Sequence, residues 1–352
     1  MESCLHATLD SIITQTYKNL EIICIDDGST DNSPLILKEY ASRDNRFIVL
    51  NQENGGPAKA RNKGLDAASG DYVMMLDSDD LYSSCLVESL FLKMQECDAD
   101  VSVCRCVEYD HVSQKISSAD WTIKQHQLPA NVDCFSPNQI NDFVFTAFIG
   151  WPWDKMYKRS FIEQNNLRYP ELQNSEDLYF VFLSLTKASR IAIVDEELIR
   201  HRINRSGSVS NSRKNNPDDF YKSICLLKEA LKQDTTQYPK LYWGFLNWAL
   251  DYTLWNIWSM NDSATQTKMI SRLKNHEYPE LELLDHAPDF FQMIPGNYVK
   301  LLKYLGYSEK DVPGYVPDRH PWLSFPNVFL YKVQHDGLIK AIRYTLNWLK
   351  RK

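Results

Sequence analysis

The stretch "LEIICIDDGSTDNS" (residues 20–33) decides how the N-terminal half is read. Its first six residues, apolar and β-branched apart from Glu21, have the length of a strand and no alternation, the pattern of a strand buried on both faces. The run stops at Asp26-Asp27 and a Gly-Ser-Thr turn. A helix then begins: Asp31 or Ser33 is placed to cap it, Pro34 suits its first turn, and Leu37 and Tyr40 open its apolar side.

The same order of elements extends outward from this stretch. Leu5, Leu9, Ile12 and Ile13 recur at helical spacing and predict a helix over 3–14. Downstream, "RFIVL" (46–50) predicts a strand, "NQENGGP" a turn, "AKARNKGLDAA" a short helix, and "YVMML" (72–76) a strand. A helix over 85–97 and the alternating strand "DVSVCRCVEY" (100–109) follow. Strands alternating with helices predict an α/β fold, a mostly parallel sheet with helices on both faces. Ligands of such sheets collect beyond the carboxyl ends of the strands. Asp26-Asp27 and Asp77-Ser78-Asp79 both fall at such ends, so they are expected to open onto one edge.

The second cluster, "VMMLDSDDLY" (73–82), crowds Asp77, Asp79 and Asp80 at the end of an apolar run. Two unit charges about 4 Å apart repel by roughly 4 kcal/mol at an effective dielectric near 20. A divalent cation relieves that repulsion, and D-x-D presents oxygens to one hard ion. A solvated turn is the plainer reading of the same residues.

Composition sets the outer limits. The chain has 352 residues, 43% hydrophobic and 24% charged, long enough for two cores or for one large α/β domain with an appendage. A formal charge of -7 and an isoelectric point near 5.7 argue against nucleic acid as the main partner. The first 30 residues lack the order of a secretory signal, so the expected location is cytoplasmic. The cysteines Cys4, Cys24, Cys85, Cys97, Cys104, Cys106, Cys134 and Cys225 form no C-x-x-C pair and are expected to be reduced core thiols. Leu241 to Met260 is strongly apolar but interrupted by Asn247, Asp251 and Asn256, which predicts a buried helix rather than a membrane span.

With that organisation in place, "SIITQTYKNLEIICIDDGSTDNS" and "NQENGGPAKARNKGLDAASGDYVMMLDSDD" strongly resemble the family 2 glycosyltransferases. "WPWDKMYKRSFIEQNNLRYPE", "SEDLYF" and "HRINRSGSVS" follow in that family's order, and the resemblance covers roughly the first 210 residues. It implies the GT-A fold, Rossmann-like, over 1–212, with 213–352 as a mainly helical C-terminal add-on domain. One departure is plain. Family members open with a strand of the type V-S-V-I-I-P-x-Y-N, which has no counterpart here, so its neighbours are expected to keep unpaired edges.

The activity the resemblance implies is inverting, metal-dependent transfer of a hexose from a UDP-sugar to a hydroxyl of a glycan, glycoprotein or glycolipid, as in bacterial surface-glycan assembly. Its cofactor is Mn²⁺ or Mg²⁺, held by Asp79 and Asp77 with His201 near the metal or diphosphate. Asp80 is expected to do only local turn work. The nucleotide-sugar is assigned to Asp27, Gly56, Lys59, Arg61, Asp77, Asp79, Arg202 and Ser208, with Arg205 and Ser206 in the same closing loop. Asp177 of the E-D pair is the base, and Glu176, Trp153, Lys155 and Tyr157 are assigned to the acceptor. Ser175 is expected to cap the helix that Glu176 begins. The alternative is a non-catalytic GT-A-like scaffold for a partner glycosyltransferase.

Beyond about Asn211 the chain is helix-rich, with Trp243, Trp248, Trp255 and Trp258 at spacings expected to bury them. Pro313, Pro317, Pro321 and Pro326 mark an irregular connector, and residues 329–352 carry six basic residues against one acid. That basic helix is expected either to touch the inner face of the cell membrane peripherally or to pack on the add-on domain with a solvated face.

Overall fold

The computed structural model describes residues 1–205 and 213–275 continuously and, beyond these, 277–282, 285–286, 288–291, 293 and 301. In chain order the first elements are α1 (Glu2–Ile13), β1 (Ile22–Asp27), α2 (Ser33–Arg43), β2 (Phe47–Gln52), α3 (Pro57–Ala67), β3 (Tyr72–Met74) and β4 (Leu81–Tyr82). Then follow α4 (Leu86–Cys97), β5 (Val101–Asp110), β6 (Ile116–Ser118), β7 (Cys134–Phe135), β8 (Lys155–Lys158), α5 (Arg159–Gln164), α6 (Glu176–Lys187) and β9 (Ile191–Ile203). Three further helices are α7 (Asp219–Lys232), α8 (Tyr238–Ser259) and α9 (Ser263–Lys274). Turn chemistry places the early boundaries: Gly28 has φ +69°, and a side chain there would meet the Asn54 backbone.

The sheet corrects the expectation of a mostly parallel arrangement. β1 and β2 pair in parallel as a separate two-stranded sheet, with Ile22 opposite Phe47. The larger sheet runs β3-β8-β5-β9-β4, with β6 on β5 and β7 on β9. Within it only β5 and β9 are parallel; the β3–β8, β8–β5, β4–β9, β5–β6 and β7–β9 pairs are antiparallel. The reason is the long excursion between β5 and β8. Crossover helices impose parallel pairing, whereas β8 returns through irregular chain and inserts antiparallel between β3 and β5. The expected strand over 72–76 is also shortened, because residues 75–80 leave the ladder to form a loop.

α6, α7 and α8 share one core with the sheet: Phe145, Phe182, Phe245 and Trp248 meet as neighbouring rings. No helix among the described residues is long and apolar enough to cross a membrane. Two expectations fail here. Trp255 and Trp258 on α8 are 42% and 38% exposed, whereas Trp248 is buried. Cys97, at the end of α4, is paired with Cys134 of β7 as a disulfide, with Cα atoms 5.8 Å apart. These cysteines are 37 residues apart, and only the fold of β7 onto β9 brings them together. The expected connector at 313–326 and the basic helix at 329–352 lie outside the described residues.

Candidate active site

The loop after β3 is held by its own carbonyls. The Tyr82 hydroxyl donates to the Asp77 carbonyl at 2.7 Å, Arg202 Nε to that of Asp79 at 2.6 Å, and the Thr8 hydroxyl to that of Asp80 at 2.8 Å. α1, β4 and β9 therefore fix three backbone groups that no sheet ladder satisfies. Asp80 does more than cap a turn. It is fully buried, accepts from the Arg202 backbone at 2.7 Å, and faces His201 Nδ1 at 3.1 Å. The His201 ring is stacked on Trp153 with centroids 5.0 Å apart and lies 5.1 Å from Trp151. Burial pulls the His201 pKa down, but the Asp80 carboxylate outweighs it and holds the imidazole above its usual value.

Arg61, in the second turn of α3, joins two motifs that lie far apart in sequence. Its Nη1 donates to Glu176 Oε1 at 2.5 Å and its Nη2 to Asp77 Oδ1 at 3.0 Å, with the guanidinium over the Tyr169 ring. Burial opposes its charge, but Asp77 and Glu176 together raise its pKa above the ordinary guanidinium value. Burial also raises the Glu176 carboxyl, against the pull of Arg61. Asp177 follows in the first turn of α6. Burial, then the neighbouring Glu176 charge, push its pKa up to about 7. A carboxylate near 7 is poised to accept a proton at neutral pH.

For a divalent cation, the donors on offer are Asp77 and Asp79. Asp77 keeps one oxygen beyond its contact with Arg61, and Asp79, whose Oδ2 accepts from Arg205 Nε at 2.9 Å, likewise keeps one. Their side chains are 31% and 20% exposed. Among the described residues no group of three or more His, Cys, Asp or Glu side chains is arranged to hold a metal. Two carboxylate oxygens at an open site suit an ion that takes its remaining ligands from phosphate and water, as Mg²⁺ and Mn²⁺ do. His201 has committed Nδ1 to Asp80.

Several assignments read from sequence acquire other duties in the fold. Asp27 accepts from the backbone N–H of Gly55 at 2.7 Å and of Gly56 at 2.9 Å, and from Gln52 Nε2 at 2.8 Å, so it shapes the glycine turn. Gly56 has φ +85° and begins α3, where a side chain would crowd Gln173. Lys59 is exposed, 3.6 Å from Glu171. Arg202 is spent on the Asp79 carbonyl, His111 and the Tyr109 ring. Ser206 and Ser208 lie outside the described residues.

The acceptor assignments need correction. Lys155 is fully buried, its ammonium bonded to Asp154 and to the carbonyls of Ile149 and Trp151, so it braces the turn before β8. Tyr157 is fully buried with its ring edge on Phe180, and Trp153 is buried beneath His201. Glu176 is spent on Arg61. Lys155 and Tyr157 alternate onto one face of β8, and Trp153 precedes the strand; all three side chains are buried in the core. Ser175 is the N-cap of α6 without a capping bond; its hydroxyl instead meets Asn174 Oδ1 and the Tyr252 hydroxyl, each at 3.1 Å.

Sequence reasoning missed what α8 brings to this place. Tyr252 reaches Ser175, two residues before Asp177, and Arg213 lies 4.4 Å over the ring of Trp255. The helical spacing of 248, 252 and 255 is a stripe in the sequence, but nothing local says that Tyr252 meets Ser175, 77 residues earlier and two residues before Asp177.

Residues 2–165 match the model described as "Glycosyl transferase family 2". The chain is 33% identical over 216 residues to "Putative glycosyltransferase EpsH" of Bacillus subtilis (strain 168), covering 60% of this chain and 61% of that protein. It is also 33% identical over 212 residues to "Glycosyltransferase GlyG" of Streptococcus pneumoniae serotype 4, covering 57% of this chain and 66% of that protein. The chain thus spans less than two thirds of these curated relatives' own length. Among solved structures, S. aureus TarS in complex with UDP-GlcNAc superposes with a TM-score of 0.63 at 21% identity, over 86% of this chain and 87% of that one. That likeness shows the fold, a GT-A α/β domain followed by a helical region.

Proposed function

We propose that this chain, whose residues 2–165 match the glycosyl transferase family 2 model, is an inverting transferase moving a hexose from a UDP-sugar to a hydroxyl of a glycan, glycoprotein or glycolipid. The observation that carries this reading is the Arg61 bridge, which couples Asp77 of D-x-D to the Glu176-Asp177 pair across 115 residues of sequence. One centre then holds a place for a diphosphate and a base with a pKa of about 7. The UDP and UDP-GlcNAc complexes of TarS support a uridine nucleotide as the donor's carrier.

The reaction makes two demands on these residues. The sugar's anomeric carbon loses its bond to the diphosphate oxygen, which leaves with the electron pair; the acceptor oxygen bonds the same carbon from the opposite face. Asp177 takes the proton that this oxygen sheds; the Glu176 charge beside it raises its affinity for that proton, and Arg61, paired with Glu176, tempers the effect. Asp79 and Asp77 would hold Mn²⁺ or Mg²⁺, and Nε2 of His201 is the ring nitrogen that Asp80 does not engage. When bound, the cation would supply charge neutralisation of the leaving group. Lys59, exposed at the start of α3, would exchange its solvent-screened pairing with Glu171 for a phosphate. The division into a catalytic domain over 1–212 and an add-on over 213–352, and peripheral membrane contact through 329–352, belong to the same proposal.

Thermal unfolding with UDP and Mn²⁺, followed by UDP-sugar hydrolysis, tests the reading. UDP with Mn²⁺ should raise the melting temperature, and Asp79→Ala should abolish the Mn²⁺-dependent part of the shift and the turnover. A wild-type chain with neither UDP stabilisation nor metal-dependent hydrolysis sinks it.

A further inference from the structure

α8 runs out of the core towards the proposed base. Trp248, Tyr252 and Trp255 stand at i, i+4 and i+7 on one face of the helix, the first pair stacked with centroids 5.7 Å apart and the second tilted with centroids 5.3 Å apart. Trp248 is buried against Phe145 and Phe182, whereas Trp255 is 42% exposed. The middle member ties the stripe to α6, its hydroxyl 3.1 Å from Ser175 Oγ at the residue that begins the helix of Asp177. Asp177 and Arg213 both act electrostatically on the Tyr252 hydroxyl, and Arg213 acts on Asp177 in turn. An indole left open at the end of a packed aromatic stripe, whose middle member is tied to the start of the Asp177 helix, is more than a helix-packing residue.

Resting on the transferase reading above, we propose that Tyr252 and Trp255 form an acceptor subsite for a neutral pyranose, which stacks its C–H face on the indole and presents a hydroxyl to Asp177. Arg213 covers one face of Trp255 at 4.4 Å and also donates to the Ser259 hydroxyl at 3.2 Å, so it orients the indole. An aromatic plane matches the apolar face of a sugar ring. The charge nearby disfavours a polyanion, because the Asp177 carboxylate acts on the Tyr252 hydroxyl and Arg213 is already engaged. The helical region thereby becomes part of the site.

The test uses the full chain and saturation-transfer NMR with methyl β-D-glucopyranoside, methyl β-D-galactopyranoside, methyl N-acetyl-β-D-glucosaminide, cellobiose and chitobiose, with ribitol phosphate as the anionic probe. Wild type should bind at least one neutral sugar and not ribitol phosphate. Trp255→Ala should weaken that binding at least tenfold, and Trp255→Phe, which keeps a ring, should stay within about threefold; equal melting temperatures establish that all three are folded. The proposal is overturned if no neutral sugar binds wild type, if Trp255→Ala binds as wild type does, or if ribitol phosphate is preferred. UDP with Mn²⁺, titrated separately into wild type, separates the two claims. Stabilisation by UDP with a failed sugar arm removes the subsite alone, and its absence removes the transferase reading.

Discussion

Removing the Arg61 guanidinium should unsettle both halves of the site at once. Arg61 Nη1 lies 2.5 Å from Glu176 Oε1, and the two side chains are 19% and 6% exposed, so water screens the pair weakly. Charges centred about 3 Å apart attract by roughly 5 kcal/mol at an effective dielectric near 20, and desolvation of both ions takes back much of that. Arg61→Met keeps most of the volume but strands Glu176 in a buried place, which costs about 3–5 kcal/mol. Glu176→Gln keeps the shape and an acceptor oxygen, and leaves Arg61 with Asp77; its cost should be about 1–2 kcal/mol. Once Glu176 is neutral, losing Arg61 matters less, so the double variant should show a coupling of about 2–3 kcal/mol. The assay is thermal and urea unfolding of the four chains, with Arg61→Met melting roughly 6–20 °C below wild type for a domain of about 200 residues. A second readout comes from Asp177, whose pKa Arg61 holds down. Without the guanidinium the acid limb of the pH-rate profile should move to higher pH. Additive single effects, within about 0.5 kcal/mol, with an unmoved acid limb would refute the bridge.

Four further expectations follow from other contacts. Donor turnover in wild type should rise with pH through about 7 as Asp177 loses its proton, and Asp177→Asn should lose about 10²–10⁴-fold of it; a flat profile between pH 5 and 9 counts against Asp177 as base. The sign for stability is opposite: the folded-state pKa is raised, so the native chain holds this proton more tightly, and Asp177's contribution to stability declines as pH rises from about 4 towards 7, a loss that urea midpoints of wild type and Asp177→Asn should reveal. Lys155→Ala leaves the fully buried Asp154 without its cation and should lower stability by about 3–5 kcal/mol, measured by urea unfolding, where an effect below about 1 kcal/mol would return Lys155 to a surface duty. Gly244→Ala drives a Cβ into the Asp142 backbone and should cost about 1–3 kcal/mol in the same assay if α8 is docked as described.

How much of this was legible in the chain depends on the range of the forces involved. Helix and strand positions are set by nearest neighbours: the helix expected over 3–14 is α1 (Glu2–Ile13), and the strand expected over 100–109 is β5 (Val101–Asp110). The motif blocks carried the resemblance to the family for the same reason, since short runs such as "DSDD" and "SEDLYF" carry their residues together. Strand direction was misjudged because pairing is decided by where an irregular excursion returns, which no local period records. Lys155 and Tyr157 resembled acceptor contacts until the sheet put that face of β8 into the core.

Composition and local pattern alone determined that this chain builds an α/β core, that Asp77, Asp79 and Asp177 stand out from it as acids at element ends, and that a helical region follows. Tertiary structure alone decided their partners: Arg61 meets Glu176 across 115 residues, His201 meets Asp80 across 121, and Tyr252 meets Ser175 across 77. A carboxylate's identity is written in the chain, but its charge state depends on burial and on neighbours that only folding supplies, which is why the bridge and the α8 stripe became visible only in three dimensions.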